Sequence, residues 1–338
     1  MVHRRGLSEP YIIQLIGLDG QALPAVYALS RSDKTYFNPT GPCPGPCQDL
    51  MTANYLMPEI SVSSTRVYFL DGEGDVKSLT PSGTVSLVAQ LEVGPDSNAI
   101  FAVSPDDRRI AVAVIAYKQS FSSPTVSLRI YVQDIVGGGN RAEIFTSTSL
   151  VEWPVGWHDG KLVLAVGQPD VFVAPNPYAA TEYHLVDPAS GKQLAVLKCI
   201  YGPLVAAGSA CWNSPSLGRE DWSGDITSYR VDPRGAVNGL QQAYIALSPD
   251  GRLIATEVTS AVSGGLDTEL FRDGSESLLA SGVAPLGWLD GNHLMAVSPS
   301  GLSIVDVTDG ALTTVVGLTP IPQQGWPSFY QALPSSLG

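Results

Sequence analysis

The densest gathering of aromatic and charged side chains is the stretch WNSPSLGREDWSGD, which begins at Trp212. Within it Trp212, Arg219, Glu220, Asp221 and Trp222 set two indoles beside two carboxylates and a guanidinium. Such a set can hold a sugar, a peptide or a cationic ligand. The same residues would equally pack their own loop and leave the charges in water. Tyr178, Phe172 and Tyr36 occupy other irregular stretches and are candidates of the same kind. In DGEGD, Asp71, Glu73 and Asp75 alternate and could offer oxygens to Ca2+. No bidentate glutamate follows at the EF-hand distance, and the intervening glycines suit a plain hairpin turn. No other cofactor is expected.

Catalytic patterns are scarce. G-x-S-x-G, H-E-x-x-H and G-x-x-x-x-G-K-[ST] are all absent from the sequence. His158 and His293 fall in or beside turns, His184 falls in an outer strand, and His3 falls in an end expected to fray, so a Ser-His-Asp triad is poorly supplied. A pair of carboxylates needs no local motif, and Glu182, Glu220 and Asp221 are the first suspects for one. The four cysteines form two local pairs, Cys43 with Cys47 in GPCPGPC and Cys199 with Cys211 around IYGPLVAAGSA. Each pair either closes a short disulfide loop in an oxidising compartment or stays as free thiols.

A net charge of −13 supplies no basic surface for nucleic acid, and the same argument weakens adsorption to anionic lipid. No apolar run is long enough to span a bilayer, so no membrane insertion is expected. The opening MVHRRGLSEPYIIQLIGLDG lacks the apolar stretch of a leader. That fits a cytoplasmic protein, or an extracellular or periplasmic one supplied without its leader, and the cysteine pairs lean toward the second.

The elements that must position these residues are repeats. AIFAVSPDDRRIAVAV at 99–114 and AYIALSPDGRLIATEV at 243–258 are identical at nine of sixteen positions. Each reads as strand, Ser-Pro-Asp turn, strand. PVGWHDGKLVLAV at 154–166 and PLGWLDGNHLMAV at 285–297 share Gly-Trp-x-Asp-Gly before an apolar strand. Trp157 and Trp288 in this motif are expected to pack between repeats. Turns recur at about 40–50 residues, the period of a four-stranded propeller blade. A second hairpin follows each first one, as in YHLVDPASGKQLAVL and LSIVDVTDGALTTVV. No segment reads as a long amphipathic helix.

The N-terminal YIIQLIGLDGQALPAVYAL resembles an outer hairpin, and the C-terminal QQGWPSFYQAL resembles inner strands. Together they make one composite blade, from about 10–33 and 318–335. The expected fold is therefore an all-β, seven-bladed β-propeller occupying 1–338 as a single domain, with six or eight blades as the alternatives. Strands named A to D outward in each blade place the A–B and C–D turns on one face. The B–C connections open on the other, and they are expected to be long from Tyr117, Gly167, Trp212 and Thr259.

SPDGR at 248–252 and SPDDR at 104–108, each before an apolar strand, resemble the WD40-like repeats of TolB-type β-propellers. The Gly-His and Trp-Asp dipeptides of true WD40 repeats are missing. The resemblance implies a binding platform of the bacterial envelope, a sensor domain or a gating domain on a peptidase, and it carries over no active-site residue. Two readings follow. One is a monomeric, non-catalytic propeller that recognises a protein, peptide or glycan on the loop-rich face. The other is a carbohydrate-active hydrolase or lyase that uses carboxylates on that face or in a central channel.

Overall fold

The computed structural model describes residues 2–3, 11–28, 59–93, 97–118, 125–167, 180–213, 216–230, 245–259, 265–272, 275–298, 300–316 and 329–331. Among them no helix occurs, and the strands form seven four-stranded antiparallel sheets. One sheet joins the two ends of the chain. Its strands β1 (Val2–His3), β2 (Tyr11–Ile16) and β3 (Ala22–Ala28) lie with β28 (Phe329–Gln331) in the order β28-β1-β2-β3. The other six are meanders, each adding strands in sequence order.

The first three meanders are β4 to β7 (Ile60–Val62, Val67–Leu70, Asp75–Leu79, Val85–Gln90), β8 to β11 (Ser97–Val103, Arg109–Lys118, Thr125–Asp134, Ala142–Ser147) and β12 to β15 (Val151–His158, Lys161–Gly167, Glu182–Val186, Gln193–Leu197). Then come β16 to β19 (Tyr201–Val205, Gly208–Asn213, Ser216–Glu220, Ile226–Arg230) and β20 to β23 (Ile245–Leu247, Leu253–Thr259, Leu266–Arg272, Ser275–Ser281). Last are β24 to β27 (Ala284–Trp288, His293–Ser298, Gly301–Asp306, Leu312–Thr314).

The composite blade divides differently from the expected two strands and two. Only its first strand comes from the C-terminal side, and Val2–His3, outside the expected 10–33 span, supplies the second. The chain falls into two compact units, one of Pro24–Val196 with Arg4–Ile13, the other of Leu197–Gly338 with Met1–His3 and Gln14–Leu23. In the first, β4, β8 and β12 lie side by side, and in the second β16, β20 and β24 do.

Burial grades from the first strands to the fourth. Ile110, Ala111, Val112 and Ala113 of β9 are all at 0% exposure, so this strand is covered on both faces, and it reads as an unbroken apolar run rather than an alternation. Along β27, by contrast, all three residues are exposed. A blade therefore hides its inner strands only by stacking on neighbours.

The two repeat types make that stacking directional. In SPDD, the Ser104 hydroxyl donates to Asp106 at 2.6 Å and accepts the Arg109 N–H at 2.9 Å. In SPDG, Ser248 donates to Asp250 at 2.7 Å and accepts the Leu253 N–H at 2.9 Å. The fourth motif residue takes a left-handed backbone in both, Asp107 at φ 59° and Gly251 at φ 72°. Glycine adopts this conformation freely. Asp107 has a second task, since its carboxylate accepts the hydroxyls of Tyr68, at 2.8 Å, and of Thr65 from the preceding blade.

In the Gly-Trp motif the register slips between Pro154 and Gly156, and again between Pro285 and Gly287. These are β-bulges, which re-aim the side chain that follows. Trp157 donates its indole N–H to the Ala102 carbonyl at 3.2 Å, and Trp288 donates to the Ala246 carbonyl at 2.9 Å. Ala102 and Ala246 occupy the same place in the doubled sixteen-residue stretch. Twice, then, a Ser-Pro-Asp blade is followed by a bulged-tryptophan blade that bonds back to it.

Replacing Trp288 with Phe keeps most of the apolar contact and removes only the indole bond, since Ala246 also pairs with Ala255 in its own sheet. We expect a loss of about 0.5–1.5 kcal/mol, measured as a lowered thermal midpoint, with a comparable loss for Trp157→Phe.

Candidate functional site

The residues from Trp212 to Trp222 do not form a long connection. Strand β17 ends at Asn213, which pairs with Ser216 at the start of β18, and Ser209 pairs with Glu220 at the far end. Trp212 thus lies at one end of the hairpin, beside the cluster of Val205, Leu247 and Phe271, and Trp222 lies beyond the other. Only residues 214–215 separate the two strands, so the long connection expected from Trp212 is corrected accordingly. Pro215 and Gly218 suggest a loop, yet Gly218 sits within β18, where an added Cβ would stand 2.6 Å from the Thr227 carbonyl oxygen.

Each charged member of the stretch has a bond that holds the fold. Arg219 donates to the Gly251 carbonyl at 2.7 Å, linking its blade to the next. Glu220, 3% exposed, accepts the N–H groups of Lys198 and Cys199 at 2.6 and 2.7 Å. Asp221 accepts the Ser223 hydroxyl at 2.6 Å and the N–H of Asp225 at 3.1 Å, and the hydroxyl bond helps hold its carboxyl below the usual range. The Trp222 indole donates to the Ala206 carbonyl at 2.8 Å, across the neighbouring turn.

The DGEGD stretch is the tight turn between β5 and β6. Asp71 accepts the N–H groups of Glu73 and Asp75 at 2.9 and 3.0 Å, and its other oxygen meets the Lys77 ammonium at 2.5 Å. Cys199 and Cys211 are joined in a disulfide with Cα atoms 4.8 Å apart. Tyr178, Phe172, Tyr36, Cys43 and Cys47 lie outside the described residues. His293 bonds Asp290 at 2.8 Å within its own turn.

One cluster escaped the sequence reading. His184, on β14, places Nδ1 3.1 Å from Glu152 of β12 and Nε2 3.0 Å from Glu182. Glu152 is 3% exposed and His184 9%. Pairing of Glu152 and Glu182 to the same residue of β13, Val166, fixes the arrangement. Hydrogen bonding to Glu152 and Glu182 pushes the imidazole above its ordinary value, against the opposing effect of burial. With both ring nitrogens engaged, the imidazolium serves as a buried cross-link between two carboxylates. The cluster lies at the strand ends joined by residues 168–181, and Thr181 closes that connection by donating to the Val166 carbonyl at 2.8 Å.

A second acidic group lies in the blade β20 to β23. Burial, a hydrogen bond with Glu276 and the charges of Glu276 and Asp267 push the Glu269 carboxyl up to about 8. Its Oε2 is buried without a hydrogen-bond partner among the described residues. Near neutral pH Glu269 is therefore the protonated member of a carboxyl pair.

It is a seven-bladed β-propeller. Among solved structures the chain is similar to TolB from Acinetobacter baumannii, at 14% identity and a TM-score of 0.36, over 92% of this chain and 61% of that one. It is also similar to BamB from Moraxella catarrhalis, at 14% identity and a TM-score of 0.36, over 92% and 90% of the two chains. A third is the uncomplexed acylaminoacyl peptidase of Pyrococcus horikoshii, at 12% identity and a TM-score of 0.44, over 87% and 48%. The chain spans less than two thirds of the TolB and peptidase chains. Likeness at this level concerns the fold alone. No protein-family model matches the sequence, and no curated protein does.

Both clusters give pH dependences of known sign. His184 binds its proton more tightly in the folded propeller, so its stabilisation is complete below the unfolded value of about 6.5. It is lost as pH rises through the elevated folded value. The thermal midpoint of a His184→Asn variant should fall furthest below the parent in mildly acidic buffer and converge on it in alkaline buffer. Glu269 acts in the opposite sense to an ordinary salt-bridged acid. Folded chains hold its proton while unfolded ones release it between about 4.5 and 8, so stability declines across that window. Glu269→Gln should raise the midpoint at pH 8 and leave it nearly unchanged at pH 4.

Proposed function

We propose that the chain is a non-catalytic binding propeller. Its ligand, a protein, peptide or glycan, is taken at the strand ends that carry the long connections. The carrying observation is the uneven length of those connections. Lys118 pairs with Thr125, and Val166 pairs with Glu182, so residues 119–124 and 167–181 leave the two neighbouring blades of one unit at the same strand ends. At the opposite ends, two-residue and Asp-capped turns close the hairpins, as between His158 and Lys161. Rigid scaffolds place recognition on their long connections in this way.

Each carboxylate first suspected for the alternative, a hydrolase or lyase, has a partner within the fold. Glu182 bonds His184, Glu220 accepts two amides and Asp221 caps a turn. An extracellular or periplasmic setting is the reading supported by the Cys199–Cys211 disulfide, since such bonds persist in oxidising compartments.

Screening the purified chain against peptide and glycan arrays tests the reading. Replacing residues 168–179 with a short Gly-Ser linker should weaken the best hit at least tenfold while leaving the thermal midpoint within a few degrees. Unchanged affinity in that variant, or consumption of a glycan that stops with Glu182→Gln, would overturn the proposal.

A further inference from the structure

We propose that Cys199, Cys211 and Glu220 become a binding site for a divalent ion of the Zn2+ class when the disulfide is reduced. One donor atom from each residue lies within 4.8 Å of the other two. Tetrahedral Zn2+ with thiolates at about 2.3 Å and a carboxylate at about 2.0 Å needs its donors about 3.5–4 Å apart. Adjustment of side-chain torsions reaches that spacing from the observed one.

The backbone holds the three together whatever the state of the sulfurs. Ser209 pairs with Glu220 and Cys211 pairs with Gly218, so Cys211 and Glu220 project from the same face of adjacent strands. Gly218, opposite Cys211, adds no side chain to crowd them. Cys199 is fixed by its own N–H, which donates to Glu220 Oε2 at 2.7 Å beside that of Lys198 at 2.6 Å. Both amides converge on the same carboxylate oxygen and so fix the carboxylate against Cys199. Burial of Glu220 at 3% exposure and Cys211 at 8% excludes most competing water.

The chemistry balances with a dithiol as reductant. Two electrons from the dithiol break the Cys199–Cys211 bond, the dithiol closes to its own disulfide, and its two protons pass to the freed sulfurs. Metal binding then expels those two protons and forms two metal–thiolate bonds, with the carboxylate as third ligand and water as fourth. Disulfide and metal exclude one another, so the ion draws the pair toward the reduced form by mass action.

The test uses the full chain carrying Cys43→Ser and Cys47→Ser, reduced with dithiothreitol and freed of it by anaerobic gel filtration. Co2+ should bind at one equivalent per chain, with the visible bands of a tetrahedral thiolate complex and displacement by Zn2+. The oxidised protein should show none of these bands. Glu220→Gln should weaken binding at least tenfold, and Cys211→Ser should abolish the bands. Reduced protein that keeps its far-ultraviolet dichroism yet shows no bands would overturn the proposal. So would equal affinity in Glu220→Gln, or unfolding on reduction, which would leave no folded dithiol form to bind the ion.

Discussion

A strand buried on both faces obliges its sheet to lie against another, and every polar atom trapped between them needs a partner. That constraint governs this chain. Ala102 and Ala246 are buried in first strands, paired with Ala111 and Ala255 of the second, and each carbonyl has a further lone pair within reach of the next blade. The bulged tryptophans answer with an indole N–H. Between other blades the same need is met by the Ser61 hydroxyl accepting the Val103 N–H at 2.8 Å, and by Arg219 donating to Gly251. Apolar contact supplies most of the attraction between blades, while these bonds fix their relative register.

The doubled stretch takes its meaning from this. Its letters are turn chemistry and packing, repeated because a two-blade module is repeated. Ser-Pro-Asp makes a hairpin with a hydroxyl and a carboxylate as internal caps. Gly-Trp makes a bulge and an anchor. Where Asp107 replaces the glycine of the other copy, a strained backbone conformation is offset by bonds to Tyr68 and Thr65.

Much of the fold was legible in the sequence because these devices are local. The turns, the Gly-Trp strands and the close cysteine pair at 199 and 211 all lie within a few residues or recur at a period. The candidate site was less legible. Pro215 and Gly218 read as loop punctuation, although the glycine is needed because a strand backbone passes where its Cβ would be. His184 does lie in an outer strand, β14, but its partner Glu152 is 32 positions away, and only strand pairing brings them together. The two residues of Val2–His3 are too few to carry a periodic signal, and their strand exists because β28 and β2 flank it.

Ionisable groups inside the propeller follow the same logic of satisfied partners. Two carboxylates raise the proton affinity of His184, and burial, with two neighbouring acids, raises that of Glu269. The most direct measurement of the central claim is hydrogen exchange at the indole N–H groups of Trp157 and Trp288, followed by NMR. If directional bonds between consecutive blades hold the fold, both indoles exchange as slowly as the slowest amides of β9 and β21. Exchange as fast as that of the hairpin turns would contradict the account.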